Sequence, residues 1–112
     1  MPVVSQDALP FSVIAREFMG HEHGNVGVSL LFVDAPPGKG PLLHRHPYEE
    51  LILVLDGEAT FVLGDEELEA RTGDIVIVPA NEPHSFVNTG EGSLRQIDIH
   101  VSPKMITEWL VN

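Results

Sequence analysis

The stretch GKGPLLHRHPYEELILVLDG, residues 38–57, decides how this chain is read. His44 and His46 stand one residue apart. On an extended strand the side-chain period is two, so both imidazoles leave the same face. Glu50 has the same parity and joins them if the strand stays extended past Pro47. Residues 51–55 form an unbroken apolar, β-prone run, closed by the turn pair Asp56-Gly57. Two neutral imidazoles and one carboxylate converging from one strand are a divalent-metal signal. A fourth candidate ligand, His84, lies downstream in PANEPHSFVN, residues 79–88.

The rest of the chain fits one small domain around that stretch. It has 112 residues, 43% of them hydrophobic, enough for one compact core and too apolar for a disordered chain. No apolar run approaches the length of a membrane span, and no basic segment followed by an apolar one marks a secretory signal. Cysteine is absent, so no disulfide constrains the compartment, and the cytoplasm is the expected location. With 17 acidic residues against 6 basic, the net charge of −11 argues against a nucleic-acid partner and for a soluble surface.

Short β-prone segments separated by Gly and Pro turns predict an all-β sandwich or barrel. Residues 1–10 read as an arm, and 11–19 as a strand or a short helix, the alternation of Phe11, Val13 and Ala15 with polar positions favouring the strand. The segment 26–33 reads as a strand with Val28, Leu30 and Phe32 on one face. Further strands are expected over 43–55 with an interruption at Pro47, then 58–63, 68–71, 75–78, 84–88 and 94–101. Pro103 then permits a terminal helix over 104–111, with Met105, Ile106, Trp109 and Leu110 as its apolar stripe.

At this level of detail a family resemblance becomes specific. Gly38, five residues, His44-x-His46, three residues, Glu50, six residues and Gly57 resemble the first motif of the cupin superfamily. Gly73, five residues and Pro79, followed by Asn81, His84 and Asn88, resemble the second. Asn81 departs from the family's Gly, but Asn tolerates a left-handed backbone better than other side chains, so the turn is expected to persist. The resemblance implies a single-domain jelly-roll β-barrel, with His44, His46, Glu50 and His84 as metal ligands. Four protein ligands leave two positions of a six-coordinate ion for water, substrate or dioxygen. Fe, Mn, Ni and Co suit such a site, and Zn is the four-coordinate alternative.

The remaining polar residues are weighed against ordinary roles. Glu49 has the wrong parity to be a ligand. His21 and His23 repeat the alternation but lie in a turn without a matching carboxylate, so they read as solvated. The acidic run 65–69 reads as a solvated hairpin, and Phe32 and Phe86 as core or pocket wall. On the last strand Ile97 and Ile99 are expected to face the core, which turns Gln96, Asp98 and His100 to solvent. The alternative is that these three line a cavity. Tyr48, Asp98 and His100 are then the candidates for a proton carrier. The expected function is a divalent-metal site that binds a small organic ligand, as an oxygenase or isomerase or as a non-catalytic binding or sensing module. Residues 51–55 and 75–78 are apolar on both faces, which predicts a homodimer covering the outer one.

Overall fold

The computed structural model describes residues 2–110, which form two packed antiparallel sheets. In chain order the strands are β1 (Phe11–Ser12), β2 (Ala15–Phe18), β3 (Ser29–Ala35), β4 (His44–Arg45), β5 (Glu50–Asp56) and β6 (Glu58–Leu63). They continue with β7 (Glu66–Arg71), β8 (Ile75–Val78), β9 (His84–Asn88), β10 (Leu94–His100) and β11 (Glu108–Trp109). One sheet has the order β1-β2-β3-β10-β5-β8 and the other β11-β4-β9-β6-β7. Consecutive strands such as β5 and β6 fall in different sheets, so the chain winds back and forth between the two layers, as a jelly roll does. Among the described residues no helix is long and apolar enough to cross a membrane.

Period-two alternation sorts each strand into an inner and an outer row. Inward from β5 point Glu50, Ile52 and Val54; from β9, His84, Phe86 and Asn88; from β10, Leu94, Gln96, Asp98 and His100. All of these are buried. The inner rows are thus polar at one end and apolar at the other. The apolar end is the core, centred on Ile52, Phe61, Val78 and Leu94. There Phe61 faces Phe86 across β6 and β9, with ring centroids 5.5 Å apart. Asn88 closes that end: its Nδ2 donates to Ala35 O at 2.9 Å, tying β9 of one sheet to β3 of the other.

Two expectations about faces are reversed. Gln96, Asp98 and His100 point inward, and Ile97 and Ile99 lie on the outer face. The cross-strand register explains this. Phe18, Leu30, Ile99, Leu51 and Ile77 form one outer row of the larger sheet, and Phe32, Ile97, Leu53 and Ile75 form the next. That outer face is itself apolar, so apolar residues do not mark the interior of β10. Phe32 accordingly lies on the outside, half-buried, as a wall of a groove beside the arm, while Phe86 is a wall of the inner cavity. The strand expected over 26–33 is shifted to Ser29–Ala35.

The expected terminal helix is absent over residues 104–110; Val111 lies outside the described residues. Residues 101–110 instead run as an extended strap, with β11 pairing to β4 through Glu108↔Arg45 and Trp109↔His44. Leu110 N–H donates to Leu43 O at 3.0 Å. The apolar spacing that suggests a helix is overridden by a free strand edge that offers hydrogen bonds and burial. At the other terminus the arm packs down: Leu9 is buried, and Arg16 Nη1 donates to Leu9 O at 2.8 Å.

Candidate metal centre

The polar end of the interior is assembled from both sheets. In the smaller sheet His44 on β4 pairs directly with His84 on β9. In the larger one Glu50 on β5 pairs directly with His100 on β10. His46 lies just past β4, where the strand breaks before Pro47. Side-chain nitrogens of His44, His46 and His84 lie within 4.8 Å of one another, as do the ligand atoms of His46, Glu50 and His100. Glu50 Oε1 is 3.1 Å from His84 Nε2 and 3.4 Å from His46 Nε2, while its Oε2 is 3.4 Å from His100 Nε2. All five residues are buried. Asn81 has φ 67° and donates its N–H to His46 O at 2.7 Å, so the left-handed turn expected there locks the loop before His84 onto the second histidine.

The rings are aimed by their far nitrogens. His44 Nδ1 lies 2.7 Å from Leu42 O, His46 Nδ1 2.7 Å from Ile106 O and His84 Nδ1 2.9 Å from Glu82 O. A carbonyl only accepts, so each Nδ1 carries the proton and donates. The Nε2 atoms of His46 and His84 are thereby turned toward Glu50. This outer support is the arrangement that fixes the tautomer and orientation of metal-binding histidines. His46 Nε2 and His100 Nε2 are buried and have no hydrogen-bond partner. A divalent ion among the Nε2 atoms and Glu50 would satisfy the first of these. The residues present therefore fit a metal.

The electrostatics agree. Burial lowers His44 to about 4, so it is neutral at physiological pH and its lone pair is free. Burial alone would raise Glu50, but the rings of His46 and His84 close beside it outweigh that and hold the carboxyl at about 2. His84 moves the other way: burial would lower it, yet the bond to Glu50 raises it. A bound metal would replace that proton, so uptake releases protons and acid expels the ion. Burial raises Asp98 well above the ordinary carboxylate range, and Gln96 Nε2 donates to its Oδ1 at 2.9 Å.

A cavity of about 260 Å³ opens beside the cluster. Glu50, His44, His84, Asp98 and His100 face it, together with Val33, Ile52 and Phe86 of the sheets and Met105, Thr107 and Trp109 of the strap. Trp109 covers His44, ring centroids 5.0 Å apart. Tyr48 is half-buried, its Oη 2.7 Å from His100 Nδ1. Glu49 is exposed, and His21 and His23 lie in the expected turn, His23 stacked on Phe18 at 4.4 Å. A wider groove of about 880 Å³ lies on the other side of the molecule, between the arm and the outer face of β2 and β3.

Residues 31–100 match the family model described as "Cupin domain". The chain is a cupin. It is 30% identical over 95 residues to an uncharacterized protein of Methanocaldococcus jannaschii, covering 84% of this cupin and 74% of that protein. Against auxin-binding protein 4 of Zea mays it is 28% identical over 89 residues, 71% of this chain and 44% of that one. In structure it superposes on the oxalate decarboxylase of Bacillus subtilis with TM-score 0.86 at 21% identity, covering 96% of this cupin but 31% of that chain. A double-stranded β-helix protein of Klebsiella pneumoniae matches with TM-score 0.72 at 19% identity, over 96% of this chain and 84% of that one. The cupin thus spans less than half the length of the larger relatives it matches.

Proposed function

We propose that this cupin holds a divalent metal through His44, His46, Glu50 and His84 and binds a small organic ligand against it as a metal-dependent enzyme, of oxygenase or isomerase type. The observation that carries the reading is the triple anchoring of Nδ1 atoms to backbone carbonyls, which leaves the Nε2 atoms of three clustered rings free to face an ion beside Glu50. When bound, the metal supplies Lewis acidity to a ligand oxygen and open positions for it. The protein supplies the rest. The walls of Val33, Ile52 and Phe86 exclude water. Asp98 and His100, both in the cavity, are groups able to hold or pass a proton beside the ligand set. Their inward placement favours an enzyme over the second reading, a non-catalytic binding or sensing module on the same cavity. Mn(II) centres are described for the Bacillus subtilis oxalate decarboxylase, which supports manganese as the first ion to test. The proposal includes a second copy of the chain against the outer face of the larger sheet.

Elemental analysis of the purified protein, with His46→Ala and His84→Ala beside it, tests the metal. One ion per chain is expected in the parent and a sharp loss in each variant, because each removes one ligand bond. His21→Ala should retain the ion. Full retention by His84→Ala would sink the four-ligand site. An oxygen-uptake screen with the loaded protein then separates an oxygenase from a binding module.

A further inference from the structure

His100 stands against the same carboxylate as His46 and His84, yet its hydrogen bonding is inverted. Ile106 N–H donates to Tyr48 Oη at 3.1 Å. The Tyr48 hydroxyl lies 2.7 Å from His100 Nδ1, and its remaining neighbour is His46 Nδ1 at 3.5 Å. His46 Nδ1 is itself a donor, to Ile106 O, so it cannot take the phenol proton. The phenol therefore donates to His100 Nδ1, which accepts. A neutral His100 then carries its proton on Nε2, the atom that faces Glu50 Oε2 and the cavity. His44, His46 and His84 carry theirs on Nδ1. Ligation by His100 Nε2 would require moving that proton to Nδ1, where it would meet the Tyr48 proton head-on.

We infer that His100 is not a fifth ligand but a fixed N–H donor, its tautomer set by Tyr48, that receives an anionic oxygen of a small, otherwise apolar ligand. This rests on the proposed metal site for the ligand's placement, but the tautomer stands without it. The donor is buried, 2% exposed, and has no partner of its own. A buried donor left unsatisfied is costly, and an oxygen arriving beside it removes that cost. The charge balance agrees: a divalent ion with three neutral imidazoles and one carboxylate is left with one positive charge, which a single anionic oxygen neutralises. Val33, Ile52 and Phe86 offer the body of the ligand only apolar contacts, and about 260 Å³ admits only a small one. A branched small carboxylate or an enolate has this shape and charge.

The test uses the full chain. In ¹⁵N-labelled, chelator-treated protein, long-range imidazole spectra report which ring nitrogen carries hydrogen. His100 is expected with Nε2–H, and His44 and His46 with Nδ1–H; an Nδ1–H tautomer at His100 overturns the inference. Co(II) is then added, and isobutyrate and its uncharged amide are titrated against the visible spectrum. His100→Phe should keep one Co(II) per chain and lose affinity for isobutyrate on the order of tenfold, the size of a charge-assisted hydrogen bond. Isobutyramide should bind parent and variant alike. Loss of Co(II) in His100→Phe, or unchanged isobutyrate affinity, overturns the assignment. Tyr48→Phe, which removes one oxygen and keeps the ring, should also hold Co(II), lose the single Nε2–H tautomer and weaken isobutyrate. Parent protein that takes up no Co(II) refutes the metal site alone, and the nitrogen spectrum still decides the donor.

Discussion

Asp98 is buried with an amide for company and no cation, and that has a thermodynamic sign. Its folded pKa is raised by burial, so between about pH 4 and that raised value the unfolded chain has released a proton that the folded chain keeps. The folded state binds more protons, and stability falls as pH rises through this window. Asp98→Asn removes the loss. In chelator-treated protein the variant should match the parent near pH 4 and exceed it at pH 7 by on the order of 1 kcal/mol or more. Urea midpoints at the two pH values check this, and an equal or lower midpoint at pH 7 would show that the carboxylate is compensated. Asn81, at φ 67°, carries a smaller expectation. Asn81→Gly should be neutral or slightly stabilising, while Asn81→Ala should cost about 1 kcal/mol by thermal melting. These residues also show what was legible. His44, His46 and Glu50 follow from strand parity, and His84 from its motif. His100 has no such signal, because β10 alternates apolar and polar residues and either face could be the inner one. The clue lay elsewhere, in the two-sided apolar runs of β5 and β8, which require an apolar outer face.

At the scale of elements, the hairpin between β1 and β2 turns through Val13, a β-branched residue at φ 57° that is 89% exposed. Such a conformation strains a Val and gains it no burial. Val13→Gly should therefore stabilise the fold by about 0.5–1 kcal/mol, read as a raised melting temperature; a loss would mean that the hairpin depends on the side chain. The strap is the element least readable from sequence. Met105, Ile106, Trp109 and Leu110 have helical spacing, and nothing local says that Ile106 will spend its carbonyl on His46 and its N–H on Tyr48. That decision is made by partners about 60 residues away, whereas the strands of the core carry their own alternation and appear close to where the sequence places them. Gly40 adds a contrasting case. A Cβ there would overlap the Phe86 carbonyl, so Gly40→Ala should destabilise the protein where Val13→Gly helps it.

For the whole molecule, the outer face of the larger sheet carries two apolar rows, with Ile75 60% and Ile77 66% exposed. A two-fold copy laid on this face would bury the same rows from both sides. Light scattering at micromolar concentration should give twice the 12.3 kDa chain mass, and Ile77→Lys should give the single mass with an unchanged circular dichroism spectrum. A single mass for the parent would refute the pairing. The interior has its own symmetry of function. At one end Asn88 stitches β9 to β3 with an amide; at the other, one strand pair from each sheet delivers His44 with His84 and Glu50 with His100. An ion held there would be a rivet through both layers in a chain that has no cysteine to form one. Removing it would leave a clamshell hinged at Asn88. Amide hydrogen exchange should then quicken after chelation in β4 and in residues 101–110, while the Ala59–Ala70 end of the β6–β7 pair, beside Asn88 and away from the rivet, keeps its rate.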